Sequence, residues 1–123
     1  MIRGVVNARH EAVVRLRVRG PGGAELDFEA LIDTGFTGSL TLPSAAVTAL
    51  GLVRQSGGSV ALGDGSVRHF DVYAAEVEWE GNWRPVLVSA IGDEILVGMR
   101  LLAGHELRVA VVPGGPVEIS PIP

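Results

Sequence analysis

The strictest constraint on how this chain folds is an alternation. From Ala12 to Arg19, the residues Ala12, Val14, Leu16 and Val18 take every second position, with Val13, Arg15, Arg17 and Arg19 between them. A period of two is that of a β-strand with one face buried. Gly20-Pro21-Gly22-Gly23 breaks the run as a turn. Alternation then resumes, with Leu26, Phe28, Ala30 and Ile32 set against Glu25, Asp27 and Glu29. Two such strands around one turn predict an antiparallel hairpin. Matching the apolar faces puts Arg19 opposite Glu25, Arg17 opposite Asp27 and Arg15 opposite Glu29. Facing opposite charges contribute roughly 0.2–1 kcal/mol per pair. The arginine row therefore reads as a solvated, charge-paired face in preference to an anion site.

The second strand of this hairpin runs into Leu31-Ile32-Asp33-Thr34-Gly35-Phe36-Thr37-Gly38-Ser39. A carboxylate follows a rigid apolar arm and precedes a turn that Gly35 and Gly38 permit. Aspartate is common in turns, but one fixed at the end of a buried strand is also placed for chemistry.

The rest of the chain continues in short strands. Ile2 to Val6 is a candidate strand, and Leu40 and Leu42 alternate in another. A short helix follows, with Ser44 as the expected N-cap, Ala46, Val47 and Leu50 as its apolar face and Gly51 as the C′ residue. Gln55 to Ser59 has the composition of a mobile loop. Val60–Leu62 and Val67–Val72 read as hairpin arms around Gly63-Asp64-Gly65-Ser66. A separate strand is expected from Tyr73 to Trp79. A turn at Glu80-Gly81-Asn82 leads into Trp83–Ser89, with the two tryptophans packed across it. Ile91 to Glu94 reads as a loop, Ile95–Val97 as a buried strand and Met99 to Gly104 as a short helix. Leu107–Val112 and Val117–Ile119 are strands around Pro113-Gly114-Gly115-Pro116, and the Pro-Ile-Pro tail is expected to end the ladder.

Composition removes several function classes. At 123 residues one domain, 1–123, is the default. No lysine is present, which excludes a Schiff-base lysine and a phosphate-loop lysine, and no cysteine, which excludes disulfides, thiolate metal sites and thiol nucleophiles. The glycine-rich Gly63–Ser66 stretch lacks the ending and the helix that a phosphate-cradling loop needs. A net charge of −4, spread along the chain, opposes a nucleic-acid footprint. His10, His69 and His105 lack metal-ligand spacing, so neither metal nor cofactor is expected. The N-terminus lacks a signal-peptide core and no run reaches a membrane span. The expectation is a soluble, cytoplasmic protein without a membrane partner.

Asp33-Thr34-Gly35 behind two apolar residues, Leu96-Val97-Gly98-Met99-Arg100-Leu101-Leu102 far downstream, and a glycine-rich hairpin between them occur together in this order. In this the chain resembles the retropepsin-like aspartic proteases, from about Ala12 to Ile119. Leu50-Gly51-Leu52 after Leu42-Pro43 adds to the likeness to bacterial members. The resemblance implies an all-β fold, a closed, Greek-key-like half of an acid-protease barrel with one or two short helices, active as a two-fold dimer. It implies Asp33, Thr34 and Gly35 as the catalytic loop. Phe36, Thr37, Leu62, Gly63, Asp64 and Gly65 would meet the substrate, and Gly98 would pack under the Asp33 loop.

The chemistry agrees with a dimer. Hydrolysis of an amide without metal or nucleophile needs both a base and an acid. Two adjacent carboxyls supply both, because like charges about 3 Å apart cannot both ionise. One chain offers one such aspartate; Asp64 sits on a hairpin tip, and Asp71 and Asp93 lack the loop signature. The second carboxyl then comes from a second copy across a two-fold axis. One departure from the family is Phe36, where many relatives carry a small or hydroxyl side chain; phenylalanine cannot donate a hydrogen bond to the carboxylate. The expected function is an aspartic endopeptidase acting on an extended peptide. The alternative is a non-catalytic peptide-binding or dimerisation module on the same fold.

Overall fold

A computed structural model describes residues 1–123. The chain order is β1 (Ile2–Val6), β2 (Ala12–Arg19), β3 (Glu25–Ile32), β4 (Leu40–Thr41), α1 (Ser44–Ala49), β5 (Val53–Ala61), β6 (Val67–Trp79), β7 (Asn82–Ser89), β8 (Leu96–Val97), α2 (Met99–Leu102), β9 (His105–Val109) and β10 (Pro116–Pro121). The protein is thus mostly β, with two short helices. No helix is long and apolar enough to cross a membrane.

Alternation fixes the first hairpin as expected. Arg15 lies opposite Glu29, Arg17 opposite Asp27 and Arg19 opposite Glu25. Val14, Leu16, Val18 and Ala30 are buried on its inner face. Hydrogen-bonded neighbours run β5-β6-β7-β4-β8-β3-β2-β1-β10-β9, and a further pairing joins β6 to β2. That pairing, Val18 with Val77 and Arg19 with Glu76, closes β6, β7, β4, β8, β3 and β2 into a ring. Strand β5 extends the sheet beyond β6, and β1, β10 and β9 extend it beyond β2. Leu40, Val77, Val88 and Val97 of the ring are fully buried, and Leu50 and Leu101 from the helical segments pack with them.

Strand pairings across the sheet explain several departures from the local expectation. Arg17 pairs with Asp27 at 2.9 Å, but Arg19 turns from Glu25 to Glu76, also at 2.9 Å, and lies over the Trp83 ring at 4.1 Å. Trp79 and Trp83 do not pack on each other: Trp79 lies opposite Asn82 and Trp83 opposite Glu78, so the two rings sit on opposite faces. Trp79 meets His105 edge to face instead, donating its indole N–H to Nε2 at 3.2 Å. Gln55–Ser59 is strand, not loop. It belongs to β5, which pairs along β6 from Val53 to Ala61 with one irregularity between Arg54 and Ser56. The arm Val67–Val72 and the strand from Tyr73 are likewise one element.

Helix ends show the same balance. Gly51, at φ +63°, is the C′ residue as expected. Its N–H donates to Thr48 O, and that of Leu52 to Val47 O, the paired bonds of a Schellman cap. Ser44 is not the N-cap; Pro43 holds that place in extended conformation, with no side-chain cap bond. The strand expected over Leu107–Val112 runs instead from His105 to Val109. The tail does not end the ladder at Ile119. Strand β10 runs on to Pro121, opposite His105, and Ile122 N–H donates to Gly104 O. Proline at a strand end needs no donor there.

Candidate active site

Asp33 takes its place from a parallel pairing. Strand β8 lies beside β3, with Leu31 next to Leu96 and Ile32 next to Val97. Leu31 N–H donates to Ile95 O and Asp33 N–H to Val97 O, at 2.8 and 2.9 Å. The ladder ends there, and the chain turns at Thr34-Gly35. Oδ1 of Asp33 accepts the Gly35 N–H at 2.9 Å, and the Asp33 carbonyl accepts the Phe36 N–H at 3.2 Å. An aspartate side chain that bonds its own backbone two residues on makes an Asx turn. Asp33 is half-buried, while Thr34, Gly35 and Thr37 are exposed.

The loop beyond Asp33 is tied down by the segment that opens α2. Gly98 N–H donates to Ser39 O, Met99 N–H to Phe36 O and Arg100 N–H to Gly38 O, at 3.0, 2.8 and 3.1 Å. Gly98 is buried. A Cβ added to it would fall 2.8 Å from Phe36 O and closer still to Gly38 O. Only glycine lets the two backbones approach so nearly. The Phe36 ring covers both glycines: it would stand 2.5 Å from a Cβ on either Gly38 or Gly98. Phe36 is therefore a clamp on this loop.

Thr41 supports the approach from β4. Its buried hydroxyl donates to Glu94 O and accepts the Leu96 N–H, both at 2.8 Å. No strand pattern signals this bridge, because both partners are backbone groups on β8 and the loop before it.

Beside Asp33 and Thr34 lies a groove of about 400 Å³. Leu31, Leu96, Leu107 and Val109 supply apolar wall, and His10, Glu11 and Glu94 bring polar groups to it. Leu62, Gly63, Asp64 and Gly65 take no part in its lining; they form the turn between β5 and β6. In that turn Gly65 N–H donates to Leu62 O at 3.0 Å. Asp64 Oδ1 accepts both the Ser66 hydroxyl, at 2.6 Å, and the Ser66 N–H, at 2.9 Å. These bonds, the hydroxyl first, hold the Asp64 carboxyl below its ordinary range.

The geometry thus brings Asp33, Thr34, Gly35, Phe36 and Gly98 into one small assembly and leaves the β5–β6 turn outside it. It also adds His10, Glu11 and Glu94, which sequence reasoning missed. His10 and Glu11 arrive through the β1–β2 connection, where Asn7 Oδ1 accepts the N–H groups of Arg9 and Glu11 and His10 takes φ +61°. Nothing in their sequence spacing relates them to Asp33. None of the chain's five ion pairs involves Asp33, Glu11 or Glu94. No protein-family model matches the chain, and a search of curated proteins finds no match.

Proposed function

We propose that the chain is an aspartic endopeptidase of the retropepsin type, which hydrolyses peptide bonds as a homodimer. The observation that supports this best is the setting of Asp33. Its carboxylate stands at the end of a buried strand, on a loop fastened by Gly98, Met99 and Arg100, with one oxygen held by the Gly35 N–H and no cation paired to it. Rigid support of this kind is what a general acid or base requires.

A single Asp33 lacks its complement, so the second comes from the partner copy. One carboxyl is ionised and takes a proton from a water held between the two. The other is protonated and gives its proton to the scissile carbonyl oxygen. The water oxygen adds to the carbonyl carbon, and collapse of the tetrahedral species breaks the C–N bond as the leaving nitrogen takes up a proton. The pair titrates as a unit. Thr34 and Gly35, exposed beside Asp33, lie where two loops would meet. The β5–β6 turn would close over an extended peptide only by moving or by acting from the other copy.

The test is cleavage of a mixed peptide library by wild type and by Asp33→Asn, with the oligomeric state of each measured by light scattering. Asparagine keeps the oxygen that accepts from Gly35, so the loop survives while the acid–base pair does not. Cleavage by the wild-type dimer that the substitution abolishes is the expected result. Equal cleavage by both, or a wild-type dimer that cleaves nothing, overturns the proposal.

A further inference from the structure

The groove beside Asp33 has a mixed character that a purely apolar subsite would not need. Its walls include Leu31, Leu96, Leu107 and Val109, yet Glu11 and Glu94 also line it and no arginine does. His10 is the one basic side chain among the lining residues. Neither glutamate is engaged in an ion pair. Glu11 is nonetheless held in place: Asn7 Nδ2 donates to its Oε1 at 3.0 Å, and Asn7 Oδ1 accepts the Glu11 N–H at 2.9 Å. Glu94 is held through its backbone, whose carbonyl accepts the Thr41 hydroxyl. By contrast, the larger depression on the β5–β6 hairpin has its charges already matched, Arg54 with Asp71 at 2.8 Å.

Apolar walls with unpaired carboxylates suit a side chain with a long aliphatic stem and a cationic head. A leucine in the same place would fill the walls but leave the carboxylates desolvated and unpaired. A glutamate would meet like charge. We infer that this groove selects peptides presenting an arginine or lysine side chain, with Glu11 and Glu94 reading the charge. The inference rests on the peptide-hydrolysis reading, and its test is separable from that reading because it measures binding alone.

Three fluorescent peptides, identical except for a central Arg, Leu or Glu, are titrated with the Asp33→Asn protein and followed by anisotropy. Two partly exposed ion pairs predict that the Arg peptide binds about tenfold more tightly than the Leu peptide. The preference shrinks at about 0.5 M salt, where screening shortens the reach of both charges. Glu11→Gln with Glu94→Gln brings the Arg and Leu peptides to within about twofold. Glutamine at 11 keeps the oxygen that accepts from Asn7, and the Glu94 backbone bond is untouched, so the fold is preserved. Equal or weaker binding of the Arg peptide, binding of none of the three, or a preference that survives both substitutions overturns the inference. A wild-type dimer that cleaves nothing, with the Arg preference intact, would refute the hydrolysis and leave the groove assignment standing.

Discussion

Replacing Gly98 by alanine places a methyl group where two backbone segments already touch. The new Cβ would lie 2.8 Å from Phe36 O, nearer still to Gly38 O, and 2.5 Å from the Phe36 ring. Real Cβ contacts shorter than 3.0 Å essentially do not occur, and two of these neighbours are backbone atoms that cannot swing aside. The loop has to move. Both carbonyls accept hydrogen bonds from the start of α2, Gly38 O from Arg100 and Phe36 O from Met99, so movement strains those bonds as well. Overpacking costs about 1–3 kcal/mol, and each weakened backbone bond costs up to about 1 kcal/mol more. The expected destabilisation is about 1–5 kcal/mol, against the roughly 5–15 kcal/mol that holds a domain of this kind together. The assay is urea unfolding followed by the fluorescence of Trp79 and Trp83, with hydrogen exchange at the Met99 and Arg100 amides. Gly63→Ala is the control. Nothing lies within 4 Å of its added Cβ, so it is neutral or stabilises by up to about 1 kcal/mol. A Gly98→Ala protein within about 0.5 kcal/mol of wild type, with both amides still protected, would refute the close packing of this loop.

Other substitutions probe neighbouring parts of the structure. Phe36→Ala uncovers Gly38 and Gly98; for a half-buried ring, stability falls by about 1.5–3 kcal/mol in the same urea assay, and loss of peptide cleavage is expected to follow as the Asp33 loop loosens. Ser66→Ala removes the larger of the causes that depress the Asp64 carboxyl. Its titration, followed by carboxyl carbon NMR, moves up toward the ordinary value of about 3.9. The sign for the wild-type turn follows: the contribution is present above the unfolded pKa and is lost as pH falls through the depressed folded value. An unchanged midpoint would count against the hydrogen bond from the Ser66 hydroxyl. Arg19→Met removes the ion pair with Glu76 and the cation over Trp83. It costs about 0.5–2 kcal/mol, and a cost that disappears in a Trp83→Leu background identifies the ring as the principal partner.

The features that follow from sequence alone are local. The alternation of Ala12–Arg19 against Glu25–Ile32 sets the hairpin and its register, because a period of two leaves one face to bury. The same pattern brings Asp33 to the end of a strand. Gly51 marks a helix end because a left-handed residue is needed there. Gly98 beside the Asp33 loop was legible only through the resemblance to a family. Everything that depends on which strands become neighbours follows from long-range pairing. Gln55–Ser59 is strand because β6 offers a ladder along its length; composition records propensity and not the presence of a partner. Arg19 leaves Glu25 for Glu76 because the β2–β6 pairing closes the ring. His10, Glu11 and Glu94 reach the groove of Asp33 through two connections far apart in sequence. Turns and faces follow from steric rules that act over a few residues, whereas the groove forms where β9 and the β1–β2 connection come to lie beside β3 and β8, an arrangement no short stretch of the chain encodes.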